Sequence, residues 1–452
     1  MRYLPHTPDD VREMLDVIGV KSVDELFGSI PETLKLNRPM DLPTALPECR
    51  LRFELEKLAS VNRDAGSMPC FAGAGIYNHY VPAAVGQLLL RSEFYTAYTP
   101  YQPEVSQGTL QAIFEYQTMM ARYLAMEVSN ASLYDGSTAT AEAVGMALRI
   151  FKNKRPVVVI AGHVHPEYLD VVRSYLTHPE ETLRLVPGGS DGRVDMAALD
   201  AAMGPEVSAI LVQHPNFLGL LEDLARLRET ATKHESLLVT TFSEALAFGL
   251  IKAPGAFGAD IVVGEGQSFG MPVSFGGPLL GVMTTRKAHV RSMPGRVVGL
   301  TSDRHGNDAF CVTLSTREQH IRREKATSNI CTNEGLCALS AAIYLSLLGN
   351  DGLSKLARLN HHASRHLAGR LAAIPGVSLP FGQSPWFNEF AVDLPISAAE
   401  LCRRMADGGI LAGVPLSRFE PGQERRLLVA VTELCSGSEI ERYVAAFGAA
   451  CA

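Results

Sequence analysis

The 452-residue sequence has no cluster of lysines and arginines dense enough to make a phosphate-binding face, and its net charge is −7. Proteins whose main task is to hold a nucleic-acid backbone concentrate basic groups on one surface, so that class is set aside. No stretch reaches the roughly 20 apolar residues that span a bilayer. The opening MRYLPHTPDDVREML has neither the apolar centre of a signal peptide nor the Arg-rich, acid-poor character of a transit peptide, and a cytoplasmic chain is expected. The eight cysteines (Cys49, Cys70, Cys311, Cys331, Cys337, Cys402, Cys435 and Cys451) form no C-x-x-C pair and have no His-x-x-x-His partner. That excludes a zinc site by spacing and leaves reduced thiols, mostly core filler. The P-loop pattern is missing, and with it the case for phosphoryl transfer on such a loop. The stretch FAGAG (71–75) has Asn78 where a dinucleotide motif needs its third glycine, so it reads as a tight turn needing positive φ. Internal repeats and low-complexity tracts are also lacking.

What is present is an ordinary globular composition, 46% apolar and 20% charged. The length exceeds what one core usually supports, which suggests a large domain and a smaller one. Thr7, with Asp10 three residues on, caps a helix whose Val11, Met14, Leu15 and Ile18 share a face, and a second short helix is expected at Val23–Phe27. A longer helix is expected after Gly108, with Leu110, Ile113, Phe114, Ala121 and Leu124 on its core stripe. The middle of the chain carries short Val/Ile/Leu runs at 156–162, 208–215, 237–244, 259–266 and 278–285, mostly separated by helical spans. Runs apolar on both faces with such crossovers predict a largely parallel sheet between helices. Beyond Thr327 come a helix closed by Gly349, another running to Gly376, and strand-like segments at 387–394 and 425–433. The expected division is an N-terminal helical segment and arm (1–75), a large α/β domain (76–326) and a small α+β domain (327–452).

Four short stretches carry the chemistry. In SLYDGSTATAEAV, Gly136, Ser137, Thr138 and Ala139 stand where a helix begins; free N–H groups there hold a phosphate monoester, or the residues simply cap the helix, and the sequence leaves both open. AGHVHPEYLD places His163 and His165 at the C-terminal edge of the sheet, where open α/β folds bind ligands. LLVTTFSE ends a strand in Glu244, and GEGQSFGMPVSFGGP follows the next strand with Gln267. Together they resemble the large domain of pyridoxal-phosphate enzymes of the aspartate-aminotransferase type (fold type I). That plan has a phosphate cup, a ring-stacking residue, an acid facing the pyridine nitrogen and, some twenty residues on, a lysine. Gln267 occupies that Schiff-base lysine position, and an amide nitrogen, delocalised into its carbonyl, has no useful nucleophilicity. Lys252 and Lys287 fall on the wrong elements to replace it. No metal site is expected.

Longer blocks are more specific. GIYNHYVPAAV, RSEFYTAYTPYQPEVSQGTLQAIFEYQT, NASLYDGSTATAEA, GEGQSFGMPVSFGGPLLG and REQHIRREKATSNICTNEGL, with the opening MRYLPHTPDDVREMLDVIG, resemble nearly end to end the alpha chains (subunit 1) of the two-chain glycine dehydrogenase (decarboxylating), the P-protein of the glycine cleavage system. The resemblance implies an α2β2 heterotetramer in which a beta subunit holds pyridoxal 5'-phosphate on its lysine. That assembly decarboxylates glycine and hands the aminomethyl group to the lipoyl arm of H-protein, while this chain binds no cofactor covalently and is inactive alone. Ser137, Thr138, His163, Glu244 and Gln267 then mark a vestigial pocket. Glu244 stands where an aspartate is commoner in the family, which suggests a pocket not held to working geometry.

No catalytic residue is assigned firmly. Tyr95, Tyr98 and Tyr101, with Glu104, lie in a Pro-rich segment expected to be an extended loop, where phenols either reach a shared site or anchor an interface. Arg317, Arg322, Arg323 and Lys325 either bridge subunits or grip a carboxylate. The alternative to a required subunit is a cofactor-free binding or regulatory paralogue.

Overall fold

The structure is a computed structural model that describes residues 3–36 and 38–452. The chain forms two compact units, one ending at Arg63 and the other running from Asp64 to Ala452. The first unit opens with the helix Pro8–Ile18. Its capping box is complete: Thr7 Oγ1 accepts from Asp10 N at 3.2 Å, the Asp10 carboxylate accepts from Thr7 N at 2.7 Å, and Gly19 at φ 84° ends the helix. Val23–Phe27 is a 3-10 turn, and the unit's second α-helix is Glu48–Ala59. Neither helix has a buried side chain.

The second unit is organised by a seven-stranded sheet. Its strands are β1 (Val128–Ser129), β2 (Val157–Ala161), β3 (Leu183–Val186), β4 (Val207–Gln213), β5 (Leu237–Phe242), β6 (Ile261–Glu265) and β7 (Gly281–Thr285), in spatial order β1-β7-β6-β5-β4-β2-β3. Neighbours from β3 through β6 are parallel, while β7 runs antiparallel to both β6 and β1. Every residue of β2, β4, β5 and β6 is buried, which explains why these strands read as runs rich in Val, Ile and Leu without polar alternation. Each Val, Ile or Leu so placed contributes about 1.5–3 kcal/mol of burial. The helix Gly136–Ile150 packs Ala139, Val144 and Ala147 on one face of the sheet with Val158, Ile160, Leu211 and Val263. The opposite face meets Tyr116 and Met120 of the helix Gln107–Tyr123.

The segment Gly335–Ala372 is long and apolar enough by composition to cross a bilayer, although no run of that kind stands out in the sequence. Gly349, at φ 59° and ψ −176°, breaks it into two helices. Ala338, Ala341, Tyr344 and Leu345 of its first half lie in the core. The remainder builds a three-stranded antiparallel sheet from Glu389–Asp393, Arg426–Ala430 and Val414–Pro415, covered by the helices Ala398–Asp407 and Gly437–Cys451. Not foreseen from the sequence is the hairpin Val297–Ser302 with Asp308–Thr313, whose outer half is exposed and lacks an apolar run. All eight cysteines are free thiols, but the core-filler expectation holds fully only for Cys337 and Cys435, since Cys49 and Cys331 are exposed and the rest half-buried.

Candidate functional site

Gln267 stands just past the C-terminal end of β6 and is 1% exposed. Its Oε1 accepts from Tyr77 N at 3.2 Å and its Nε2 donates to Met271 O at 2.7 Å. Tyr77 belongs to the segment 71–79, which fills the ends of β5 and β6. The FAGAG turn starts it, with Ala74 at φ 57° and Gly75 at φ 109°. Ala74 O lies 2.9 Å from His165 Nε2, and a Cβ on Gly75 would come within 2.9 Å of the same atom, so the backbone itself covers that imidazole. On its other face His165 stacks on Tyr168, with 4.7 Å between centroids and 16° between planes. His163, the histidine expected in the pocket, instead lies against Gly188, whose added Cβ would fall 2.3 Å from its Nε2. Farther along, Tyr77 Oη donates to Glu389 at 2.9 Å.

Glu244, which would face a pyridine nitrogen in a cofactor-bearing relative, faces His79. The imidazole lies between two carboxylates, Nε2 at 2.9 Å from Glu244 and Nδ1 at 2.9 Å from Glu433. Asn388 Nδ2 and Leu246 N also donate to Glu244, at 3.2 and 3.0 Å. Burial works against a charged imidazole here, but the two carboxylates overcome it and hold His79 protonated, its pKa raised to about 10.

The phosphate cup is occupied in the same way. Asp135 caps the helix Gly136–Ile150: its side chain accepts from Thr138 N at 2.7 Å and from the hydroxyls of Ser137 and Thr138 at 2.9 and 2.7 Å. Gly136 N donates to Glu265 Oε2 at 2.9 Å, and Glu265 Oε1 accepts from Gln267 N and Leu280 N at 3.0 and 2.8 Å. Burial pushes the Glu265 carboxyl up to about 8, against the pull of those three N–H groups. A phosphate dianion would meet two carboxyl groups where it needs free donors, and a pyridine ring would meet the chain's own backbone. Pyridoxal phosphate therefore does not fit these residues. Lys252 and Lys287 are exposed, and Lys252 Nζ sits 4.5 Å over the Phe257 ring. Among the described residues no cluster of metal-ligating side chains occurs.

The Tyr-rich segment opens a second place. It begins with one helical turn, Ser92–Tyr95, which corrects the expectation of an extended loop throughout; Arg91 to Tyr95 precede the prolines that forbid a helix. The following residues, Ala97 to Pro100, line a cavity of about 300 Å³ together with Phe94, Ile113 and Thr332 to Leu336. Tyr98 lines it and is 83% exposed, whereas Tyr95 and Tyr101, 60% and 62% exposed, flank it. Glu104 lies in the turn Pro103–Val105 and forms no ion pair among the described residues. Behind the cavity lies a residue that the sequence reading missed. Arg296, 6% exposed, donates to Thr332 Oγ1 (3.1 Å), Asn333 Oδ1 (3.3 Å) and Cys331 O (2.8 Å), and its guanidinium lies 5.5 Å from the Tyr101 ring centroid. It stands alone between Gly295 and a strand, so no local pattern marks it. Arg317 spends its guanidinium on the carbonyls of Met293, Gly295 and Leu314, and Arg322 donates to Thr316 O. Neither these two nor Arg323 or Lys325 form an ion pair among the described residues.

A mostly parallel sheet followed by a C-terminal α+β lobe, with the cleft residues at the C-terminal strand ends, is the architecture of pyridoxal-phosphate enzymes of fold type I. A NifS-like protein matches with TM-score 0.62 over 84% of this chain and 98% of its own at 12% identity, and mouse CSAD with TM-score 0.69 over 95% and 92%, also at 12%. At that identity the likeness shows the fold alone. The family model for the glycine cleavage system P-protein matches residues 1–447, and the chain belongs to that family. It is 52% identical to a probable glycine dehydrogenase (decarboxylating) subunit 1 of Anaeromyxobacter dehalogenans (strain 2CP-C) and 50% identical to one of Xanthobacter autotrophicus (strain ATCC BAA-1158 / Py2), each over 99% of both chains. A crystal structure of glycine decarboxylase (P-protein) of the glycine cleavage system, in inhibitor-bound form, matches over all of both chains with TM-score 0.87 and 43% identity.

Proposed function

We propose that this chain is the alpha subunit of a two-chain glycine decarboxylase and that it serves the reaction without holding the cofactor. The observation that carries this reading is the cleft itself: Gln267 replaces the lysine, and the segment 71–79 fills the space beside it with hydrogen-bonded backbone. In this reading a beta subunit holds pyridoxal 5'-phosphate on its lysine in a cytoplasmic α2β2 assembly, which passes the aminomethyl group of glycine to the lipoyl group of H-protein. When bound there, the cofactor supplies a protonated ring that takes up the electron pair left as carbon dioxide departs.

This chain's contribution is the face around Tyr98. Arg296 fixes residues 331–333 and the Tyr101 ring, so the exposed Tyr98 phenol is presented on a stiff frame. A phenol so placed can hydrogen-bond a substrate carboxylate across a subunit boundary while its ring excludes water. The filled cleft fits a cofactor-free regulatory paralogue equally well, and it is the relatives carrying the dehydrogenase-subunit name, matched over 99% of both chains, that weigh against that reading.

The test is glycine–bicarbonate exchange with each chain alone and with both together. Exchange requiring both chains is expected, and exchange by the partner alone at the full rate would overturn the reading. Within the active assembly, Tyr98→Phe should lower the exchange rate by roughly tenfold, the weight of one hydrogen bond to a charged group. An unchanged rate would reduce Tyr98 to an interface anchor.

A further inference from the structure

The cavity beside Tyr98 is lined by one formally charged side chain, and it is negative. Glu334 shares the lining with the rings of Phe94 and Tyr98 and the aliphatic chains of Ile113, Leu336 and Leu339. No lysine, arginine or histidine lines it among the described residues. Glu334 directly precedes the helix that opens at Gly335. Its backbone N–H donates to Ser132 Oγ at 3.0 Å, but its side chain makes no capping bond. Among the described residues the carboxylate has neither an ion pair nor a hydrogen bond. Burial raises its carboxyl pKa, so an arriving cation would relieve a cost that the chain itself leaves standing. Arg296, behind the wall, does not act as its counter-charge. That guanidinium is spent on Thr332, Asn333 and Cys331, and Glu318 lies 3.9 Å from its Nε.

A carboxylate and two aromatic rings around an apolar space suit an ammonium on a short hydrocarbon stem. The charge pairs with the acid, the rings add cation–π attraction, and the stem lies against the aliphatic wall. At about 300 Å³ the cavity falls at the lower end of small-molecule sites, roughly 300–1,000 Å³, so its ligand has few heavy atoms. An acid anion of the same size would meet a like charge and no free cation.

We propose that this cavity is a binding site for a primary ammonium on a short apolar stem, with Glu334 as its counter-ion. On the reading that the Tyr98 face serves the reaction, Glu334 also sorts the reacting groups. Glycine carries a carboxylate as well as an amine, and Glu334 keeps that carboxylate out of the interior, at the exposed Tyr98 hydroxyl. Once carbon dioxide has left, the remaining aminomethyl group has an amine and no acid, and the interior accepts it. Glu334 is in this sense a specificity-determining residue.

Ligand-observed NMR titration of the full chain at neutral pH with n-butylamine hydrochloride, sodium butyrate and 1-butanol tests this, since the three probes share a stem and differ in charge. n-Butylammonium should bind at least tenfold more tightly than butyrate. Glu334→Gln should weaken n-butylammonium at least tenfold, the weight of one bond to a charged group. It should leave 1-butanol within twofold, because the apolar walls are untouched. The comparison of the three probes on the wild-type chain decides the matter should the variant fail to fold. Exchange by the partner alone would overturn the proposed function and leave the n-butylammonium result standing. Absence of n-butylammonium binding to the wild-type chain, butyrate binding as tightly, or an n-butylammonium affinity unchanged in Glu334→Gln would overturn the ammonium site.

Discussion

At Gln267 one side chain settles both a chemical and a structural question. Its amide satisfies Tyr77 N and Met271 O, so Gln267→Lys alone would strand the Tyr77 N–H and bury an ammonium at a position that is 1% exposed. The variant should lose roughly 2–4 kcal/mol of stability, read from urea midpoints, and acquire no bound pyridoxal phosphate. A yellow, borohydride-reducible protein from that single change would show that the cleft opens readily. His79 is the second residue that decides the cleft. Replacing it with alanine leaves Glu244 and Glu433 buried without their counter-charge and should cost about 3–5 kcal/mol. The sign with pH follows from its folded pKa of about 10, above the ordinary value of 6.5. The stabilisation from the imidazolium is complete below pH 6.5 and is lost as pH rises through about 10. The gap in melting temperature between wild type and His79→Ala should therefore narrow as pH rises from 7 to 10, and a gap that widens would contradict an imidazolium clamp. Gln267 and Glu244 could be picked out in the sequence because they follow apolar strand runs at family spacing, each two residues past the strand end. Their partners could not: Tyr77 lies 190 positions from Gln267, and nothing in GIYNHY announces that it will lie across the sheet.

Among the elements, those that sequence reading located share a physical cause. β2, β4, β5 and β6 are buried on both faces, so their residues are mostly Val, Ile and Leu and stand out from their surroundings. β3 has a single buried residue in LRLV, and the hairpin at Val297–Thr313 is largely exposed beyond Val298; neither carries the run that gave the others away. Gly349 was legible as a helix end, and the structure gives its reason. At φ 59° and ψ −176° it occupies a region essentially restricted to glycine, while a Cβ there would meet nothing within 4 Å. Gly349→Ala should accordingly cost about 1–3 kcal/mol through backbone strain alone, with the unfolding slope unchanged in a urea titration. A neutral effect would mean that the break between the two helices relaxes.

For the whole molecule, the proposed reading places the cofactor on a partner and this chain's contribution at the Tyr98 rim, away from the filled cleft. The cleft is a structural joint, where the segment 71–79 is bonded to Glu244 and Gln267, just past the ends of β5 and β6, on one side and to Glu389 and Glu433 on the other. In the proposed reading, the partner's chemistry is served from the rim around the exposed Tyr98, which the buried Arg296 braces from behind. The most direct test of this division is borohydride reduction of the assembled two-chain enzyme in the presence of pyridoxal phosphate, followed by peptide mass spectrometry of both chains. The account predicts a pyridoxyl group on one lysine of the partner and none above background on any lysine of this chain. A stoichiometric label on a lysine of this chain would contradict it.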